Sequence, residues 1–409
     1  MTSRERVLKA VNHEVPDRIP VDLGGTNATS IHVDEYIEIG KYLGIDLELP
    51  KVYDTFQMMA RVEGPVMNWL HTDVIQVENY ITAWDYPNKD WKPWKTTKGN
   101  PVLVPGAFHV ETDAQGTYHL YDTKGREVAY MPSNGIYFDR NDSTAIRDEI
   151  TFADPQAWKK SISCYTDEEL RVMEKTAKFL HDNTDYFIFG DFRKCRLSST
   201  ASTFAGHSMP EWLCVLLTEE DYAREIVGVS AEKALENAKL YLDAVGPYIN
   251  ALFVSSTDFG TQRGELFNPE IFKRIYAPAY KMVNEFIHHY GDIKTFFHSC
   301  GSIKGFIPYF IEAGVDILNP VQYKAAGMDL ETLKKSYGDK IVFWGGGLDT
   351  QHTLPFGTKE EIIEETKHNI RVLNQNGGAV FALTHNLQSG VPPENLELML
   401  KTVLEYGGS

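Results

Sequence analysis

An imidazole and a thiol two residues apart, at the end of an apolar run, are the groups in this sequence best placed for chemistry. His298 and Cys300 follow Thr295–Phe296–Phe297 and precede Gly301, so they fall where a short buried strand gives way to a loop. Side chains at i and i+2 of a strand project to one side. The ring nitrogen and the sulfur can therefore converge on one point, and both are preferred zinc ligands. The plainer alternative is a buried strand-end histidine beside an inert cysteine. The elements around them, and what else those elements present, decide between the two.

From about residue 166 onward, helical and strand patterns alternate. Strands are expected at 186–190, 249–254, 294–298, 316–319, 340–344 and 379–383. Helices are expected at 166–182, 209–217, 219–243, 269–290, 303–313, 329–336, 358–375 and 393–405. Such alternation implies parallel pairing through right-handed crossovers. Strands at 19–23 and 73–77 bring the number to eight, and the expected fold is α/β, a (β/α)8 TIM barrel. A doubly wound open sheet is the rival, but no G-x-G-x-x-G opens an early helix. The stretch from about 80 to 142 breaks this rhythm. It gathers Trp84, Trp91 and Trp94, then two alternating runs, 117–121 and 127–131, around Asp122–Thr123–Lys124–Gly125, a hairpin signal. Residues 1–409 are expected to form a single barrel domain with this β-rich insertion bordering its mouth.

Active sites of such barrels collect at the C-terminal ends of the strands. The residues expected there are Asp22, Asp191, Asp258, His298 with Cys300, Gln322, Asp349 and His385. Each aspartate alone could simply cap the next helix, but a whole ring of polar groups at one mouth is harder to explain by packing. His385 follows the apolar run 380–383 and would complete a set of two nitrogens and one sulfur. Three protein ligands with an open fourth position is the arrangement of catalytic zinc. Asp258, one strand before His298, is then a supporting carboxylate or a fourth ligand, and Asp22 and Asp191 are further catalytic candidates. Gly345–Gly346–Gly347 could cradle a phosphate or allow close backbone packing.

Bulk properties exclude several classes. With 40 basic and 57 acidic residues the formal charge is −17, which argues against nucleic acid or an anionic membrane as partner. No apolar run approaches the 18 or so residues of a transmembrane helix, and the charged N-terminus lacks a signal-peptide core. Four scattered cysteines (164, 195, 214 and 300) make no disulfide framework. A cytoplasmic location is expected, and a homodimer is compatible with the sequence.

Arg4–Glu5–Arg6 with His13–Glu14–Val15–Pro16–Asp17–Arg18–Ile19–Pro20 resembles the opening of uroporphyrinogen decarboxylase-like proteins. So do His298–Ser299–Cys300–Gly301, Glu312–Ala313–Gly314–Val315–Asp316 and Val391–Pro392–Pro393–Glu394–Asn395. That superfamily of (β/α)8 barrels contains decarboxylases and cobalamin-dependent methyltransferases, so the site must separate them. The resemblance implies an Arg-Gln-Ala-Gly-Arg motif in a decarboxylase, where this chain has Asp22–Leu23–Gly24–Gly25–Thr26–Asn27–Ala28, without arginine. It implies, for the methyltransferase branch, zinc on His-x-Cys and a distant second cysteine. His298 and Cys300 match the first part, and His385 stands where that cysteine is expected. Zinc with two thiolates and an imidazole is formally neutral, whereas one thiolate and two imidazoles leave +1, the stronger Lewis acid toward a hard oxygen.

The expectation that follows is a Zn2+-dependent methyltransferase moving methyl from a methoxylated aromatic to the cobalt(I) of cobalamin carried by a separate corrinoid protein. No Asp-x-His-x-x-Gly corrinoid segment occurs in this chain. Phe192, Gln322, Tyr323 and Trp344 are the expected substrate-binding residues. Methyl transfer from methanol, an amine or a thioether, or onto a thiol, is the rival within the class. A decarboxylase-like lyase and a non-catalytic ligand-binding barrel are the rivals outside it.

Overall fold

The computed structural model describes residues 1–142, 144–195, 197–199 and 202–408. Seven parallel strands lie side by side in chain order: Val74–Val77, Phe187–Asp191, Ala251–Ser256, Lys294–His298, Ile317–Asn319, Val342–Trp344 and Ala379–Val380. An eighth segment closes the curl. Asp22 N–H donates to Phe381 O at 2.9 Å, Phe381 N–H donates to Pro20 O at 2.8 Å, and Asp73 N–H donates to Val21 O at 2.7 Å. Pro20 has no N–H, so this segment cannot form a full ladder, yet it joins the last strand to the first. The chain has the α/β, TIM-barrel-like architecture that the strand rhythm implies.

Alternation along each strand divides two cores. Phe187, Phe189, Phe253, Phe296, Val342 and Trp344 pack together inside the barrel. Ile188, Leu252, Phe297, Leu318 and Phe343 face the helices. The amphipathic helix Ser3–Val11 covers one end, placing Val7, Ala10 and Val11 against the interior cluster. Thr2 and Glu5 form its capping box. Arg6 and Arg18 both pair with the buried Asp73 at 2.7 Å, which ties this helix and the closing segment to the first strand.

The helices follow the expected order with local corrections. The helix expected over 269–290 is two, Pro269–Ile275 and Ala277–Tyr290. Pro278 lacks the N–H that would reach Arg274 O, and its ring crowds that carbonyl, so continuity fails there. The helix expected over 303–313 is confined to Ile307–Glu312. Helices Gly64–Leu70 and Pro155–Ser161 were not anticipated by the periodicity.

Between the first two barrel strands the chain forms antiparallel sheets. Lys92–Lys95 pairs with Pro101–Val104, and His109–Thr112, Tyr118–Tyr121, Glu127–Met131 and Asp139–Arg140 make a four-stranded ladder. The hairpin signal is realised with Leu120 opposite Ala129. Asp122 Oδ1 accepts from the N–H groups of Lys124 and Arg126, and Gly125 takes φ 76°. Asp34, on helix Val33–Leu43, holds these strands to the barrel by accepting from Thr96 Oγ1 at 2.7 Å and Asn100 Nδ2 at 2.8 Å. No helix of the described residues is long and apolar enough to cross a membrane.

Glu35, next to Asp34, makes stability depend on pH. Its side chain is buried, Oε2 accepts from Gly390 N–H at 2.9 Å, and Oε1 has no partner. Burial pushes its carboxyl from the ordinary 4.5 up to about 7. The folded chain therefore holds a proton that the unfolded chain releases between those values, and stability falls as pH rises through that window. Glu35→Gln keeps an acceptor for Gly390 without the charge. Its melting temperature should fall less than the wild type's between pH 5 and 7.5, measured by calorimetry across that range.

Candidate metal centre

Strand parity places His298. Phe296 points into the barrel, so His298, two residues on, points the same way one layer higher. Its Nδ1 lies 2.6 Å from Asn319 Oδ1, and the Asn319 amide Nδ2 donates to Trp344 O at 2.8 Å. That second bond fixes the amide orientation, so Asn319 presents an oxygen and Nδ1 must carry the hydrogen. The Nε2 lone pair is left facing the cavity, the tautomer a metal ligand needs.

Two loops bring the other donors to it. Cys300 Sγ lies 3.4 Å from His298 Nε2, and Asp258 Oδ1 lies 3.8 Å from the same nitrogen. The ligand atoms of Asp258, His298 and Cys300 all fall within 4.8 Å of one another. Cys300 N–H donates to Asp258 Oδ1 at 2.8 Å, and Phe259 N–H donates to Ser299 Oγ at 2.9 Å. Backbone contact between the loops needs glycine on both sides. A Cβ on Gly301 would lie 2.4 Å from Gly260 C, and one on Gly260 would lie 2.5 Å from Ser302 O. Gly301 also has φ 88°. Gln322 braces the turn by accepting from Gly301 N–H at 2.6 Å.

The electrostatics suit a cation. Burial, with the Asp258 carboxylate adding to it, pushes the Cys300 thiol well above its usual range. A thiolate there needs a positive neighbour. Burial and repulsion from His298 lower the His385 ring, which favours its neutral, ligating form. A sulfur, an imidazole nitrogen and a carboxylate oxygen at one point match the donor chemistry of zinc.

These groups line a cavity of about 540 Å3. Phe56, Tyr80, Trp158, Tyr165, Phe192 and Phe253 supply aromatic walls, and residues 80–83 and Asp85 with Arg140 form one side, so part of the β-rich insertion borders the mouth. Of the residues expected at the mouth, Asp191, Phe192, Asp258, His298, Cys300 and His385 line this cavity. His385 lies outside the tight donor cluster, with Nδ1 3.3 Å from Gln388 Nε2, and also lines an adjoining cavity of about 250 Å3 together with Gln322 and Asp349. Asp22 and Trp344 are brought together elsewhere. Trp344 Nε1 donates to Asp22 Oδ2 at 2.8 Å, both side chains are fully buried, and neither lines the cavity. Burial pushes the Asp22 carboxyl up to about 6. Tyr323 also stands apart, its hydroxyl donating to Glu365 Oε1 at 2.6 Å. The glycine run is close packing at Gly347, where a Cβ would meet the Phe381 ring at 2.5 Å.

Sequence reasoning passed over Asn319, Arg193 and Asp54. Arg193 sits between Asp191 Oδ2 at 3.1 Å and Asp54 Oδ2 at 3.4 Å. Arg193 directly follows Asp191–Phe192 at a recognised strand end, which was signal enough. Asp54 lies on the short strand Val52–Asp54 and gave none.

A methyltransferase from Methanosarcina mazei superposes over 99% of both chains with a TM-score of 0.57 and 12% sequence identity, a likeness of fold. A uroporphyrinogen decarboxylase of Rickettsia bellii (strain RML369-C) is 24% identical over 189 residues, 46% of this chain and 50% of that protein. The chain thus spans about half the length of the curated relative it matches. The sequence model of Uroporphyrinogen decarboxylase (URO-D) matches residues 201–406, half of the chain and the half that supplies Asp258, His298, Cys300 and His385. By that match over half of its length, the chain belongs to the uroporphyrinogen decarboxylase (URO-D) family.

Proposed function

We propose that this protein is a zinc-dependent methyltransferase, transferring methyl from a methoxylated aromatic to the cobalt(I) of a corrinoid held by a separate protein. The observation that carries the reading is the convergence of Asp258, His298 and Cys300 on one point of an aromatic-walled cavity. His298 and Cys300 would hold the zinc, with His385 or Asp258 as the third protein ligand. When bound, zinc supplies Lewis acidity toward the ether oxygen.

The chain's own residues do the rest. Asn319 keeps His298 in the ligating tautomer, and Gln322 with Asp258 holds the Cys300 turn by its backbone N–H groups. The aromatic walls hold the ring and keep water from it. The carbon–oxygen bond breaks with its electron pair on the aryl oxygen, which leaves as phenolate. The methyl group would pass to the corrinoid's cobalt(I), which would supply the electron pair of the new bond.

A decarboxylase acting on a polycarboxylate tetrapyrrole would need cations facing the cavity. Among the described lining residues those are Arg140, Arg193 and Lys194. Arg193 lies between two carboxylates, and Lys194 pairs with Glu169 at 3.2 Å. Arg140 donates to Ala83 O at 2.6 Å and sits over the Trp84 ring. This balance favours a ligand without several carboxylates.

Protein purified without oxygen should contain close to one zinc per chain. Cys300→Ala and His298→Ala should each lose zinc and methyl transfer together, read by elemental analysis and by the cobalt(I) absorbance of an added corrinoid protein. Full transfer after exhaustive chelation would remove zinc from the mechanism. His385→Ala and Asp258→Asn identify the third ligand, since the variant that retains full zinc has lost only a supporting group.

The Asn319 bond makes a separate demand. Asn319→Leu leaves all ligands in place but frees the His298 ring, and should weaken zinc about ten- to hundredfold in competition with a chromophoric chelator. Unchanged zinc affinity would mean that the ring is oriented by something else.

A further inference from the structure

The smaller cavity of about 250 Å3 beside the donor cluster has no task in the steps above, and its lining is unusual. Of the nine glutamines in the chain, four line it: Gln262, Gln322, Gln351 and Gln388. Each comes from a different loop, following the strands Ala251–Ser256, Ile317–Asn319, Val342–Trp344 and Ala379–Val380 in turn. Asn386 adds a fifth amide, and Thr350 and Thr384 add two hydroxyls 3.0 Å apart. A rim that only had to be wet could draw on 57 acidic and 40 basic residues. Four loops supply glutamine instead.

The charged groups of this lining are engaged. Lys324 Nζ lies 2.9 Å from Glu365 Oε1. The buried Asp349 accepts from Gln351 N–H at 2.9 Å through Oδ1, and its Oδ2 lies 3.3 Å from His352 Nδ1. Among the described lining residues no cation is left for a carboxylate, and the Asp349 charge opposes one. The amides are differently placed. Gln322 Oε1 accepts from Gly301 N–H at 2.6 Å, which leaves its Nε2 to donate elsewhere. The exposed side-chain amides of Gln262 and Gln351 bond to no described residue.

Such a surface selects a neutral ligand with both donors and acceptors. A primary amide offers one oxygen and two N–H groups in a fixed plane, and another amide answers both at once. A carboxylate lacks the donors and would be desolvated without a counter-charge. A corrin carries carboxamide arms around its edge. His385 and Asn386 line both cavities, so a ring whose centre faces the substrate has its edge over the glutamines.

We infer that Gln262, Gln322, Gln351 and Gln388 form a carboxamide-binding subsite for the arms of the corrin, selecting amidated corrinoids over those with carboxylate arms. This rests on the reading above, in which the methyl acceptor is a corrinoid. It divides the mouth, with the methyl donor in the larger cavity and the edge of the acceptor in the smaller.

The test is titration of the purified protein with free corrinoids, without the carrier protein, followed by corrin absorbance. Salt of about 0.15 M screens the overall negative charge of the chain. Dicyanocobinamide keeps its arms as carboxamides, whereas dicyanocobyrinic acid has carboxylates in their place. The cobinamide should bind about tenfold or more tightly. Gln262→Met and Gln351→Met keep the side-chain length without the amide. Each should weaken cobinamide about two- to tenfold, the worth of one hydrogen bond, with zinc content unchanged. Gln375→Met, outside the cavity, should leave cobinamide affinity as it was. Failure of cobinamide to bind, equal binding of cobyrinic acid, or cobinamide affinity intact in both cavity variants would overturn the subsite. Cobinamide binding that weakens in both variants, in a protein that demethylates no methoxylated aromatic, sustains the subsite and removes the ether-cleavage reading. Demethylation by a protein that leaves cobinamide unbound does the reverse.

Discussion

The interior aromatic layer of the barrel is the constraint on which the site depends. Phe189, Phe253, Phe296 and Trp344 touch one another across the axis, with centroid separations from 4.7 to 6.2 Å. They seal the barrel as a packed core rather than a pore. With helix Ser3–Val11 against the same cluster, solvent and ligands are confined to the other end. Parity then dictates what stands above: Asp191 follows Phe189 and His298 follows Phe296, each two residues further along its strand. Polar groups at those positions would be ruinous one layer lower. Here they become the floor of the cavity.

Backbone contact between neighbouring loops then sets the distances. Gly260 and Gly301 let the chain after Asp258 lie directly against the chain after Cys300. Any side chain at either position would push the carboxylate from the thiol by the width of a methyl group, about the difference between a shared metal site and two separate residues. The hydrogen bonds from Cys300 N–H and Phe259 N–H lock that approach. The donor cluster is thus a property of the loops' backbones as much as of the three side chains.

Much of this was legible because barrels repeat a simple rule. Strand ends carried Asp191, Asp258, His298, Cys300 and His385, and each does line the cavity. The rule marks where a strand ends but not how high that end stands, because barrel strands are staggered. Asp22 and Trp344 were read as mouth residues for that reason, and they lie below it, bonded to each other. Asn319 was within a recognised strand, but nothing in an isolated asparagine tells that its amide faces a histidine on the next strand. Tyr165 was beyond reach altogether. It precedes helix Asp167–Asn183 and comes to the cavity only through packing on Phe192 and Tyr241.

The charge balance at the donor cluster bears on the proposed chemistry. Asp258 Oδ1 already accepts from Cys300 N–H, and a carboxylate oxygen so engaged is a weaker electron donor to a metal. In the proposed site His385, whose neutral form burial favours, would complete the set from outside the tight donor cluster, with Asp258 in support. A site of one thiolate and two imidazoles would keep a net positive charge on zinc, which is what a departing phenolate would require under the proposed function.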